Sequence, residues 1–277
     1  MNTTHSKDKM SSDKPITISH LRKLKKLGQK ITALTAYDAT FGRILDEAGL
    51  DLILVGDSLG MVVQGHTNTL PVTMDEMVYH SRIVSRGVKR ALLVADMPFM
   101  SFQTSASDAL RNAGRFLKEG GASTVKLEGG QDIAETIRQI VNIGIPVMGH
   151  IGMQPQRVRQ YGGYRLQGNK EEQAERIVKD AIAVEDAGAF AVVLEKIPMN
   201  LAREITKQLK IPTIGIASGP HCDGQILVSY DMLGLADQFH FKFVRQYMNL
   251  ADDIRSAVAK YCDDIRSGDF PNEEEGF

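Results

Sequence analysis

The chain has 277 residues and a net charge of -1 at pH 7, so nothing in its charge calls for nucleic acid or an anionic membrane as partner. A content of 43% hydrophobic and 24% charged residues is that of a soluble globular protein, long enough for one large α/β domain or two small ones. No apolar run reaches transmembrane length, and the polar start "MNTTHSKDKMSSDKP" lacks the apolar core of a signal peptide, while two distant cysteines suit a reducing cytoplasm better than a disulfide framework.

In chain order, residues 1–15 read as a disordered tail. "ISHLRKLKKLGQ" predicts a short basic helix with Leu21, Leu24 and Leu27 on one stripe, Gly28 as its stop and a solvated basic face. Apolar, β-branched runs then recur at "ITALTAYD", "DLILVGDS", "ALLVADMPF", "STVKLEGG", "PVMGHIG", "AFAVVLEKI", "PTIGIASG" and "GQILVSYD". Amphipathic segments alternate with them, among them "MDEMVYHSRIVSRG", "ASDALRNAGRFLKEG" and "EEQAERIVKDAIAVEDAG"; Thr73 with Glu76 forms a capping box at the first. Short glycine turns feeding near-continuous apolar strands describe a parallel sheet covered by helices. Eight such units predict one (β/α)₈ barrel spanning residues 1–277, with a short helix before the first strand. The doubly wound alternative lacks a G-x-G-x-x-G after its first strand. Cys222 and Cys262 lie far apart without metal-ligand spacing, so Cys222 reads as a buried or idle thiol despite its neighbour His221.

Four strands end in an acid: Asp57, Asp96, Glu128 and Glu195. Each could cap the next helix, but Glu is a poor N-cap, and four together need another reason. In a barrel the C-terminal strand ends share one rim, where such enzymes work. Four carboxylates there repel, since two charges ~4 Å apart cost about 4 kcal/mol even at an effective dielectric near 20. Lys126 shares a strand face with Glu128, yet one lysine does not balance four acids. A divalent cation with oxygen ligands does, and Mg²⁺ fits. Strands two, three and four are neighbours, which makes Asp57, Asp96 and Glu128 the cation cluster. Glu195, on strand six, is the acid left to move a proton. His150, ending strand five, is an auxiliary candidate. Ser58 is placed either to donate to a substrate carboxylate or to cap a helix. The segments "VVQGHTNTLPVT" and "QYGGYRLQGNK" have the length and glycines of lids, or of ordered surface loops.

"VGDSLGMVVQGHTNTLPVTMDEMVYH", "VKLEGG", "GHIGMQPQ" with "YGGYRLQG", and "DGQILVSYDMLG" together resemble the ketopantoate hydroxymethyltransferase family, from about Thr17 to near the C-terminus. The resemblance implies a cytoplasmic (β/α)₈ barrel, a homodecamer, using Mg²⁺ and 5,10-methylenetetrahydrofolate to convert 3-methyl-2-oxobutanoate to ketopantoate through a metal-stabilised enolate, in pantothenate and coenzyme A synthesis. It implies Asp57, Asp96 and Glu128 as metal ligands, Asp57, Ser58, Asp96 and Lys126 as 2-oxoacid contacts, and Glu195 as the base. Two departures stand out: "GIASG" (Gly215 to Gly219) where the family usually has Gly-Ile-Gly-Ala-Gly, and Phe241 where a Pro is common. The first is expected to alter the folate side of the pocket. Three rival readings remain. A Schiff-base aldolase would need a neutral Lys126, a metal-free binding module would have no use for four rim acids, and a Mg²⁺-dependent 2-oxoacid lyase or mutase would share the enolate chemistry.

Overall fold

Each of the eight apolar runs becomes a strand, and the eight strands pair in parallel into a closed ring. The computed structural model describes residues 14–236 and 241–277; residues 1–13 of the expected tail lie outside the described residues. The strands are β1 (Ile31–Thr35), β2 (Leu52–Val55), β3 (Leu92–Asp96), β4 (Thr124–Glu128), β5 (Val147–Gly152), β6 (Ala191–Glu195), β7 (Thr213–Ile216) and β8 (Gly224–Leu227), each bonded to the next and β8 to β1. Side chains alternate along each strand, so one set fills the ring and the other meets the helices. Leu54, Val94, Val193 and Ile226 belong to the inner cluster; Ile53, Val55, Leu93 and Val192 belong to the outer one. Both layers are apolar, which is why these strands read as continuous hydrophobic runs.

The helix at Ile18–Lys26 closes the N-terminal end of the ring. Thr17 caps it, and fully buried Leu21 packs in the inner cluster with Ile31 and Phe190. Two expectations are corrected there. Leu27 lies beyond the helix and is 59% exposed, because only Leu21 and Leu24 turn toward the ring. The basic face is not wholly solvated either: Lys25 Nζ pairs with Asp223 at 2.7 Å and donates to the Thr206 carbonyl, since the helix crosses the chain where β8 begins. The capping box forms as expected at Met74–Ser85, with Thr73 accepting from the Glu76 N–H and the Glu76 carboxylate accepting in return.

One unit departs from strict alternation. β7 reaches β8 through residues 217–223 with no helix between them. Seven extended residues span roughly 23 Å, enough to return along a four-residue strand. That link packs Cys222, fully buried, against Gly215; an added Cβ on the glycine would stand 2.9 Å from its Sγ. Burial pushes the thiol upward, away from reactivity. The last long helix, Leu250–Ser267, buries only Ala251, while Ile254, Val258, Tyr261 and Ile265 form an exposed apolar stripe.

Candidate active site

The acids lie where closure of the ring brings them together. Asp96, Glu128 and Glu195 are the last residues of β3, β4 and β6, and Asp57 follows β2 by two residues. His150 lies within β5, which continues to Gly152. Parallel register sets Asp96 beside Lys126, Glu128 beside His150, and Gly152 beside Glu195. None of the four acids caps the helix that follows it. Ser58 does not cap either: its helix, Leu59–Val62, has no side-chain cap bond, and its hydroxyl shares a 2.8 Å hydrogen bond with the Tyr37 hydroxyl. After Glu195 the chain turns sharply through Lys196, whose φ of +49° is a left-handed conformation that L-residues adopt at a cost.

Asp96 Oδ1 stands 2.6 Å from Lys126 Nζ, both side chains 4% exposed. Its other oxygen accepts the Asp57 N–H at 3.1 Å. Gln156 joins Asp57 to Glu128. Its side-chain amide donates to Asp57 Oδ2 and to the Met97 carbonyl, each at 2.9 Å, and its backbone N–H donates to Glu128 Oε2 at 3.0 Å. His150 sits between two carboxylates, with Nε2 3.1 Å from Glu195 Oε2 and Nδ1 3.7 Å from Glu128 Oε1. Neither ring nitrogen is aligned as a hydrogen bond to them.

Burial and the Asp96 charge push the Asp57 carboxyl up to about 7, against the pull of Lys126 and Gln156. Burial also raises Glu128 well above the carboxylate range, with Lys126 opposing it. For Lys126, burial favours the neutral amine, but Asp96, Glu128 and Asp57 outweigh it and hold the ammonium charged. That removes the neutral nucleophile a Schiff-base aldolase requires. Burial, reinforced by the Lys126 charge, lowers His150, which therefore stands neutral despite Glu195.

All seven predicted residues, Asp57, Ser58, Asp96, Lys126, Glu128, His150 and Glu195, line one cavity of about 590 Å³. Both glycine-punctuated loops reach it. His66 and Thr67 come from the first and Tyr164 from the second, and the Tyr164 hydroxyl meets Met61 Sδ at 3.4 Å across the mouth. Lys196 Nζ holds the Tyr164 carbonyl at 2.5 Å.

A divalent cation fits this donor set. Glu128 Oε1 is a buried carboxylate oxygen with no hydrogen-bond donor among the described residues, and the acids outnumber Lys126, which is already paired with Asp96 Oδ1. Among the described residues no group of three or more His, Cys, Asp or Glu side chains is arranged to hold a metal ion by itself. A cation here would keep water or substrate oxygens in its shell, as Mg²⁺ does.

Gln156 is the residue that sequence reading missed, although it closes the quoted "GHIGMQPQ"; an uncharged side chain on a turn carries no local signal. Gln156→Leu leaves the Asp57 oxygen and the Met97 carbonyl without their donor and is expected to cost about 2 kcal/mol, read by urea unfolding. The GIASG departure has a local account as well. Ala217 lines the cavity at φ +54°, and the Ser218 hydroxyl donates to the Leu194 carbonyl at 2.8 Å. Ala217→Gly relieves the left-handed strain and is expected to raise stability by about 0.5–1 kcal/mol, read by thermal unfolding.

The family model described as ketopantoate hydroxymethyltransferase matches residues 15–273. Among curated relatives, the 3-methyl-2-oxobutanoate hydroxymethyltransferase of Geobacter metallireducens is 56% identical over 94% of this chain and 98% of its own. That of Moorella thermoacetica is 54% identical over 97% of this chain and 100% of its own. Among solved structures, a phosphonopyruvate hydrolase in complex with oxalate and Mg²⁺ superposes with a TM-score of 0.60 at 16% identity, covering 93% of this chain and 92% of that one, a likeness of fold alone.

Proposed function

The chain belongs to the ketopantoate hydroxymethyltransferase family and is an enzyme of the transferase class, and from that premise we propose that it transfers a hydroxymethyl group from 5,10-methylenetetrahydrofolate to C3 of 3-methyl-2-oxobutanoate, giving 2-dehydropantoate for pantothenate and coenzyme A synthesis. The observation that carries the proposal is the shared cavity in which Asp57, Asp96, Glu128 and Lys126 face Glu195. Asp57, Asp96 and Glu128 would hold Mg²⁺, which supplies Lewis acidity toward the keto oxygen when bound.

The chain's own groups divide the remaining work. Lys126, held charged by its acids, stabilises negative charge on the 2-oxoacid, and the Ser58 hydroxyl orients its carboxylate. Glu195 takes the C3 proton. It is the most open of the four acids, its side chain 18% exposed against 2% for Glu128 and 4% for Asp96, so substrate can reach it. Neutral His150 beside it adds no competing charge and limits its rotation. Water adds to the methylene carbon and its two C–N bonds break, so that tetrahydrofolate leaves with the two water protons on its nitrogens. The electron pair freed at C3 bonds to the released carbonyl carbon, whose oxygen takes the proton held by Glu195. The loops carrying His66 and Tyr164 narrow the mouth against water.

The protein is proposed to act in the cytoplasm as a homo-oligomer, a decamer on the family likeness. The exposed apolar stripe of Leu250–Ser267 supports assembly, and the two free cysteines support a reducing compartment. No helix among the described residues is long and apolar enough to cross a membrane.

An assay of 3-methyl-2-oxobutanoate with methylenetetrahydrofolate tests the reading. Turnover is expected to vanish in chelator and return with added Mg²⁺. Turnover that survives exhaustive chelation would remove the cation, and absence of folate-dependent product would remove the reaction.

A further inference from the structure

The cavity has two unlike halves. The inner half, built on β2 to β6, carries the acids and Lys126. The segments after β8 add an apolar, aromatic lining of Tyr230, Leu235, Phe241 and Phe243, joined by Met61 and Val62 from the helix after β2. Phe241 stacks on Phe243 at 5.4 Å between centroids and 23° between planes, and Tyr230 packs edge-on against Tyr37 at 5.4 Å. A small 2-oxoacid leaves most of about 590 Å³ empty, a volume in the range of pockets for much larger ligands.

One carboxylate interrupts this apolar wall. Asp231 lies in the short helix Ser229–Met232, within the quoted "DGQILVSYDMLG", and lines the cavity. It is half-buried, and among the described residues its side chain has no hydrogen-bond or ion-pair partner. By contrast Asp57 and Glu128 each accept from Gln156, and Asp96 pairs with Lys126. Burial alone raises Asp231, up to about 6, so the group remains ionised at neutral pH. A partly buried carboxylate among apolar groups, met by water and, among the described residues, by no protein donor, gains when a ligand brings paired donors to it.

We propose that Asp231 is a specificity-determining residue that binds the pterin ring of the one-carbon carrier, with the ring seated against Tyr230, Phe241 and Phe243. The inference rests on the folate reading above. The 2-amino group and N3–H of a reduced pterin project two parallel donors, the arrangement by which a guanidinium meets a carboxylate in a bidentate pair. The flat ring suits an aromatic wall. N5 and the carbon bearing the N10 arm lie on the opposite side of the pterin from that donor edge. A ring held at Asp231 therefore turns its methylene inward, toward the half of the cavity that holds Lys126 and Glu195.

Three variants test this: Asp231→Ala, Asp231→Asn and Asp231→Glu. Tetrahydrofolate binding is followed by calorimetry, KM is measured for each substrate, and C3 hydrogen exchange of 3-methyl-2-oxobutanoate in deuterated water is followed without folate. Asp231→Ala and Asp231→Asn are expected to weaken tetrahydrofolate and raise the folate KM roughly tenfold or more, with partial recovery in Asp231→Glu. The 2-oxoacid KM and the folate-free exchange should stay within about twofold of wild type, which also certifies the fold. A folate KM unchanged in Asp231→Ala and Asp231→Asn, while wild type uses folate, overturns this inference alone. Exchange lost in parallel with folate binding places Asp231 in the oxoacid half and overturns it as well. A wild type that neither binds nor uses folate takes down the functional reading and the inference together.

Discussion

Glu195→Gln is expected to lower turnover by roughly 10²- to 10⁴-fold, the usual worth of a general base, with Mg²⁺ and 2-oxoacid binding nearly unchanged. The amide keeps the shape of the side chain and its place 3.1 Å from His150 Nε2, but it cannot accept the C3 proton. Folate-free exchange of the C3 hydrogen with deuterated water, followed by NMR, isolates the step. Wild type should exchange and the variant should not. Exchange at the wild-type rate would move the base elsewhere, with buried His150 the next candidate. Loss of Mg²⁺ affinity would instead put Glu195 in the cation shell and undo the division of acids between β2–β4 and β6.

Asp96→Asn tests the other half of that division. Its two oxygens serve Lys126 and the Asp57 N–H, so this carboxylate organises both the positive charge and the neighbouring acid. The variant should lose Mg²⁺ affinity by more than the roughly 10- to 100-fold typical of a group one shell away from a metal, and 2-oxoacid affinity should fall with it. Removing one partner of a buried ion pair commonly destabilises a protein by about 3–5 kcal/mol. The loss here is expected to be smaller, because Glu128 and Asp57 still face the ammonium. Circular dichroism should report a folded barrel, and calorimetry the lost affinity. Undiminished Mg²⁺ binding in a folded Asp96→Asn would exclude Asp96 from the shell.

Much of this molecule is legible in its linear pattern. β3, β4 and β6 each read as an apolar run closed by an acid and β2 as one followed two residues on by Asp57, and burial on both faces is what makes such a run. A carboxylate at the end of a buried strand is costly, so its presence there points to use. Parallel order then predicts Asp57, Asp96 and Glu128 as one cluster with Glu195 apart, while the structure sets His150 between Glu128 and Glu195. These are properties of segments: periodicity, burial and the chemistry at a strand end.

What only the tertiary structure decides is how polar groups are paired. Gln156 reaches Glu128 across 28 positions and Asp57 across 99, and nothing in "MQPQR" marks it. Ser58 is freed from capping because Tyr37, 21 positions earlier, meets its hydroxyl. Lys25 leaves the solvated face for Asp223, 198 positions away. The helix omitted between β7 and β8, and the meeting of the rim acids with Asp231 and its apolar neighbours in one cavity, emerge only once the ring is closed. Hydrophobic burial is non-directional and leaves its period in the sequence; hydrogen bonds and ion pairs are directional, and their partners are set by the register and closure of the barrel.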